Sequence, residues 1–430
     1  MRIHRGSNKK YVYKIFLCDI IYKHRDKMGR EKYLSIRKNV DGFSFANLGL
    51  FTGFASSVVS AVYSLVLFEI FKTFFSEEMA SSMVGWYAAV IAVFSMLVGF
   101  FSTEILHWFT KSKLLYIVLS LLGACYCMMS FSVKPGTFIA LDFAAQFAYT
   151  LLCMLLPLFI SDFSRGIGME KLNARYLLWV NIGALVAPVF AMSVVSFFHN
   201  NYRMPLLAAG MVYFSGLLFF KHFGIVQADK IIKRVNMRRT LRALRITALS
   251  FFKKAGMLRA YTVNFGYYAL RAMRILYVPI IVIEKGFSSE TLGIVLSLGI
   301  LPFIIIESFI GRLIKKYGVK IWLTIGFVSF AIFSILATFL SGYALLSIFV
   351  LWQISSAFME AAHDLLFFND MPKEQQARYY GVFRTSVNVP SIIAPILGGI
   401  CIAIFNSTSA VWLITAVMGV LSTIVLWSRK

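Results

Sequence analysis

The sequence predicts an all-α membrane protein, with twelve transmembrane helices arranged as two pseudo-symmetric six-helix bundles. Three observations carry this prediction. First, 59% of the 430 residues are hydrophobic and 14% are charged, against roughly 25% charged in soluble domains. A chain this apolar needs lipid as the solvent for most of its length. Second, apolar runs recur twelve times, each near the ~20 residues that cross a bilayer. Third, one landmark occurs twice, as ARYLLWVNIGALVAPVF from Ala174 to Phe190 and as ARYYGVFRTSVNVPSIIAPILGG from Ala377 to Gly399. Both copies begin Ala-Arg-Tyr and both run from an asparagine to Ala-Pro, Asn181 to Pro188 and Asn388 to Pro395. The second copy is longer by four residues, about one helical turn. Two related apolar halves point to a transporter built from internal repeats.

Residues 1–42 form a basic tail, with cations from Arg2 to Lys38. Its apolar patch, Tyr11 to Tyr22, is interrupted by Lys14 and Asp19 and is too short for a signal-peptide core. It reads equally as an interfacial helix on an anionic leaflet or as a solvated tail. The first bundle occupies 43–223, with spans at 44–71, 83–103, 112–132, 137–160, 175–197 and 204–223. A basic central stretch, 224–259, holds nine cations from Lys230 to Lys254 against the single Asp229. The second bundle occupies 260–430, with spans at 260–283, 290–310, 319–340, 343–367, 378–404 and 408–427.

Loop charge predicts the orientation. One side receives the basic tail, Lys111 with Lys113, Lys171, the central stretch, Arg312 with Lys315, Lys316 and Lys320, Arg378, and the terminal Arg429-Lys430. The other side holds only Lys72, Lys134, Arg203 and Lys285. Both termini and the central stretch are therefore expected in the cytoplasm, and an even number of spans agrees with that by placing both termini on one side. The location is an integral multi-pass membrane, with a plasma (bacterial inner) membrane expected. The net charge of +24 is thus explained by topology and anionic lipid, and no nucleic-acid partner is expected. The five cysteines lack a Cys-x-x-Cys pair and read as small buried hydrophobes. Glu360-x-x-His363 has the spacing of a di-metal carboxylate motif but occurs once. No metal and no cofactor is expected, and the chain has no Gly-rich phosphate loop through which ATP could drive it.

Ionisable residues in hydrocarbon normally face the protein interior or a wet cavity. Spans three, six, nine and twelve carry no charge away from their ends, whereas spans four, seven and ten carry charged stripes. Span seven places Asn264, Tyr267 or Tyr268, Arg271 and Arg274 on one face. Arg271 lies about 17 Å along that helix, near mid-membrane. Span four presents Asp142 and Gln146, span ten Gln353, Ser356, Glu360 and Asp364, and span eleven Arg384 and Asn388. Span one offers Gly53, Ser56 or Ser57, Ser60 and Ser64, suited to close packing or a cavity wall.

The two groups of six spans, the basic central loop and the motif GRLIKKYGVK after span eight together resemble the major facilitator superfamily. The motif residues are Gly311, Arg312, Lys316, Gly318 and Lys320, with Lys315 where the family pattern has aspartate. The resemblance implies that spans one, four, seven and ten line a central cavity, that spans three, six, nine and twelve lie outermost, and that the motif sits between the halves. Gly183-x-x-x-Ala187-Pro188 partly matches the fifth-span pattern of proton-driven exporters in that family.

The expected function is secondary active transport of a small organic solute by alternating access, with proton coupling. The protein is expected to act as a monomer in the bilayer. Substrate contacts are assigned to Arg271, Asn264, Tyr267, Tyr268, Arg274, Asn388 and Gln146. Two arginines on one stripe point toward an anionic solute, because a guanidinium forks onto carboxylates and phosphates. An internal salt bridge from Arg271 to Asp142 or Glu360 is the alternative. Coupling or gating falls to Glu360, Asp364, Arg384 and Asp142. Glu360 and Arg384 lie at similar depth, about 10 Å from the cytoplasmic face, and are expected to pair. A multidrug-type exporter of the same fold is a second reading, and a membrane-embedded enzyme or a non-transporting sensor belongs to other classes. The enzyme would need clustered catalytic groups at one face, and only His363-Asp364 comes near.

Overall fold

The protein is described by a computed structural model over residues 30–163, 169–222, 247–307, 309–371 and 373–428. Among these residues all regular structure is helical. Twelve helical segments are long and apolar enough to cross a membrane. Spans one to six are Ser44–Lys72, Glu77–Gly99, Lys111–Phe131, Pro135–Ile160, Leu172–Phe197 and Met204–His222. Spans seven to twelve are Ala255–Glu284, Ser289–Ile306, Val319–Phe339, Gly342–Asp370, Val382–Phe405 and Thr408–Trp427. The apolar runs thus locate every span to within a few residues. The helix of span one starts at Arg30, inside the stretch expected as tail. The tail's apolar patch and most of the central basic stretch lie outside the described residues.

Local chemistry sets several helix starts. Ser76, Thr110 and Ser288 each accept a hydrogen bond from the backbone N–H three residues on, as N-cap side chains do. Pro157, Pro188, Pro279, Pro390 and Pro395 lie inside helices, where neighbouring helices can satisfy the freed carbonyls.

Two spans differ from the expectation of unbroken helices. Span eight divides into Ser289–Leu298 and Leu301–Glu307. Pro302 has no N–H to return to the carbonyl of Leu298, so the ladder stops just before it. Span ten divides into Gly342–Glu360 and His363–Asp370. At that break the Ala362 N–H reaches the Met359 carbonyl at 3.0 Å, a tightened turn directly after Glu360.

The two halves repeat one packing scheme. Span one packs on five and six, and span seven on eleven and twelve. Three packs on four and six, and nine on ten and twelve. Spans one and five meet backbone to backbone: a Cβ on Gly53 would lie 2.6 Å from the Val180 carbonyl, and one on Gly183 equally close to the Phe54 nitrogen. In the second half, aromatic rings fill the layer between spans nine, ten and twelve. Trp352 lies 4.5 Å from Trp412 and 5.2 Å from Phe330, joining spans nine, ten and twelve. Spans three, six, nine and twelve turn large apolar side chains such as Ile117, Met211, Ile332 and Val417 outward.

The halves meet along two symmetry-related seams, span two against eleven and span five against eight. The hydrogen bonds described between the halves cluster at the end of the bundle that carries few cations. Ser82 Oγ donates to the Gly399 carbonyl at 2.8 Å, Ser81 Oγ to Glu284 at 3.1 Å, and the Val189 N–H to Ser297 Oγ at 3.3 Å. Gly85 lets the Tyr277 hydroxyl and the Pro395 carbonyl approach span two. These contacts hold the two halves together at that end of the bundle.

Candidate functional site

Between the halves, near the middle of the bundle, lies a cavity with two lobes. One lobe, of about 140 Å³, includes Ser57, Ser60, Pro188, Arg274, Ile275 and Gln353. The other, of about 220 Å³, includes Ser56, Ser60, Tyr63, Tyr126, Gln146 and Tyr149. Ser60 of span one and Ile275 of span seven line both, so each half contributes to the partition. The serine stripe of span one reaches this cavity at Ser56, Ser57 and Ser60, while Gly53 on the same helix packs on span five.

In the second half the charged stripes of spans seven and ten interlock. Arg271 Nη1 lies 3.3 Å from Glu360 Oε1 and 3.5 Å from Oε2. The Tyr267 hydroxyl donates to Oε2 of the same carboxylate. Tyr267 also stacks on His363 at 4.5 Å between ring centroids, and His363 Nδ1 is 3.1 Å from Asp364 Oδ1. Glu360 is therefore held by span seven and not by Arg384, which corrects the pairing expected from equal depth. Arg384 is exposed on span eleven and acts electrostatically on Asp364 and Tyr268. Nearer the basic end, buried Arg259 pairs with Asp370 at 2.5 Å and ties span seven to span ten again.

Arg274 sits one turn beyond Arg271 and is in a different situation. Its Nη1 is buried without a hydrogen-bond partner, and its guanidinium carbon lies 5.9 Å from the Phe303 ring centroid. Gln353, which lines the same lobe, has a buried Oε1 that is also without a partner. The lobe therefore presents an unpartnered guanidinium N–H and an unpartnered carbonyl acceptor. Leaving such groups unmade in a low-dielectric site is costly, and a ligand with an anionic group and an N–H or O–H donor would satisfy both.

The first half repeats the carboxylate–tyrosine arrangement with different neighbours. Asp142 of span four is fully buried. Its Oδ2 accepts from the Tyr63 hydroxyl at 2.7 Å and from the Tyr87 hydroxyl at 2.8 Å. Its Oδ1 has no partner.

The other residues expected at the site are distributed as follows. Gln146 lines the larger lobe. Asn264 is fully buried against span eleven, where its Nδ2 donates to Ser386 Oγ at 2.7 Å, while its Oδ1 has no partner. Tyr268 packs edge-on against His363, and Asn388 is exposed on span eleven. The motif after span eight forms the short helix Ile310–Tyr317, ended by Gly318 at φ 87°, a conformation that favours glycine. Gly311, Arg312 and Lys316 on that helix are exposed, and Lys320 lies over the Trp427 ring within the same half. Sequence reading missed Tyr63 and Tyr87 as partners of Asp142. Tyr63 could have been found, because it follows Ser60 by three positions on the same helical face.

Fold and cavity together define a class, the polytopic membrane protein of two related six-helix halves around a central cavity. More particularly, residues 260–430 match the Major Facilitator Superfamily, so the second half carries that family's sequence pattern and the first half repeats its architecture. No curated relative matches the chain in sequence. Among solved structures, the chain is similar to a POT family transporter in complex with a thioalcohol-conjugated peptide. That match has 12% identity and a TM-score of 0.69, and covers 89% of this chain and 94% of the other. It is also similar to the nucleoside transporter NupG, at 16% identity and a TM-score of 0.65, covering 91% of this chain and 98% of that one. These likenesses are of fold.

Proposed function

We propose that the protein is a secondary active transporter that carries a small organic anion through the central cavity by alternating access, coupled to protons. The observation that carries this reading is Arg274, a guanidinium lining a cavity between the two halves, whose buried Nη1 has no hydrogen-bond partner and which forms no salt bridge among the described residues. Arg271, by contrast, is satisfied by Glu360 and serves as part of the scaffold that positions Arg274. The basic end of the bundle faces the cytoplasm, since cytoplasmic loops retain Lys and Arg. The end where the halves are held together then faces outward, and the solute reaches Arg274 from the cytoplasmic side in this conformation. The protein acts as a monomer in the plasma membrane.

The test is a thermal-shift screen of the purified protein against carboxylic acids, each paired with its neutral amide. A ligand at a hundred times its Kd stabilises the native state by about 2.7 kcal/mol. Acids should stabilise the wild type more than their amides do, and Arg274→Gln should remove that preference. Arg274→Lys should retain part of it, because it keeps the charge but loses the planar fork. Equal stabilisation by acids and amides would refute the anion reading.

A further inference from the structure

Two carboxylates, the buried Asp142 and the half-buried Glu360, stand on corresponding helices of the repeat at different depths. Each lies on the fourth helix of its half and is gripped by a tyrosine from the first, Glu360 by Tyr267 and Asp142 by Tyr63. The difference is the counter-charge. Glu360 has Arg271, whereas the groups that act on Asp142 are Tyr63 of span one, Tyr87 of span two and Gln146 one turn along its own helix, with Cys125 and Tyr126 of span three facing it. Among the described residues this set contains no Lys, Arg or His. A fully buried carboxylate whose Oδ1 has no partner and which faces no cation lacks one positive charge. The two tyrosine hydroxyls donate to it, so their hydrogens point at the carboxylate and their oxygens are poorly placed to coordinate a metal ion.

We infer that Asp142 is a proton-binding site of the first half, and that Tyr63 links its protonation state to the substrate cavity. The proton adds to Oδ1, no other bond changes, and the carboxylate becomes a neutral carboxyl. The Gln146 amide, which acts on the carboxylate in the charged form, can turn its side-chain carbonyl to accept the new O–H. The neutral acid accepts hydrogen bonds more weakly than the carboxylate did, so the grip on the tyrosines loosens. Tyr63 lines the larger lobe, and its hydroxyl is then free to turn toward a bound solute. Proton occupancy behind the cavity wall is thereby felt inside it. This inference rests on the central cavity being the transport site, and it makes Asp142 rather than Glu360 the proton carrier.

The experiment is pH-difference infrared spectroscopy on the full-length protein in lipid nanodiscs, with no solute added, in light and heavy water. A titrating carbonyl stretch that shifts with deuterium reports a carboxyl gaining its proton. The band should vanish in Asp142→Asn and persist in Glu360→Gln. A band that persists in Asp142→Asn, or is lost only in Glu360→Gln, overturns the assignment, as does the absence of any titrating carboxyl band. Should Asp142→Asn not fold, Tyr87→Phe decides. It removes one hydrogen bond to the charged form, so the titration should move upward by about one to two pH units, and an unmoved midpoint overturns the assignment. Tyrosine bands that change in step with the carboxyl should diminish in Tyr63→Phe and be unaltered in Tyr149→Phe. Bands unchanged in Tyr63→Phe would sever the link to the cavity. The readout needs no solute, so its failure leaves the acid–amide test standing, and failure of that screen leaves Asp142 untouched.

Discussion

Gly85 offers a way to move the conformational equilibrium with a single methyl group. It lies on span two at the closed seam, where an added Cβ would sit 2.5 Å from the Pro395 carbonyl and closer still to the Tyr277 hydroxyl. Tyr277 cannot easily retreat, since its hydroxyl donates to that same carbonyl at 3.1 Å. Overpacking of this kind costs roughly 1–3 kcal/mol. The helix-propensity gain of Gly→Ala applies in both conformations and cancels. The penalty exists only while the halves are together at this end, so the population with this end open should rise by a factor of about 5–150. Gly49 is the control. Its Cβ would lie 2.7 Å from the Tyr176 carbonyl, inside one half, and its cost falls on both conformations. The assay is maleimide labelling of a cysteine placed at Ser297 on the other seam, in a background without native thiols. Gly85→Ala should accelerate labelling by about the factor given, while Gly49→Ala should lower thermal stability and leave labelling unchanged. If Gly85→Ala merely destabilises the protein as Gly49→Ala does, the seam is a permanent core and the halves do not part there.

Three further outcomes are expected. Arg271→Gln and Glu360→Gln should each lower stability by about 1–3 kcal/mol, less than a fully buried pair would, because the side chains are 41% and 33% exposed; the double variant should recover much of the loss in thermal unfolding, and strictly additive losses would argue against the pair. Asn264→Ala should cost about 1–2 kcal/mol by removing the bond to Ser386, while the acid-over-amide preference in the thermal-shift screen stays intact. Cysteines placed at Lys134 and Asn406 should react with an impermeant reagent from outside intact cells and one at Lys171 should not; reaction of Asn406 from inside would overturn the proposed orientation.

The spans were legible because crossing a bilayer demands long apolar runs, and the inward faces because charge in lipid is costly. Periodicity placed Arg271, Arg274 and Glu360 on interior stripes, and the structure puts Arg271 against Glu360 and Arg274 beside the cavity. Periodicity did not reveal which arginine pairs with Glu360. Rise along a helix gives depth, and Glu360 and Arg384 do share a depth, but pairing also depends on rotation about the helix axis, and Glu360 turns toward span seven. Asn264 shows a related limit of periodicity: a polar residue on an inward face can meet a neighbouring helix as well as a solute, and here its Nδ2 meets Ser386. Tyr63 and Tyr87 were hidden because a tyrosine in an apolar span looks like core until its hydroxyl is seen on Asp142.

The interruptions in spans eight and ten give the two repeats unequal stiffness. A continuous helix carries a push from one end to the other, as a rod does. A helix broken near its middle lets each segment tilt separately, as a jointed lever does. Both joints belong to the second half, and Gln353 bridges them: it lies on span ten two turns before that span's break, and its amide packs against Gly299 at the break in span eight. The first half has its backbone-to-backbone seam between spans one and five, where close packing resists bending. A solute drawing on Gln353 would pull where the second half bends most readily, so local strain at the cavity and rocking of the whole bundle share one mechanical origin.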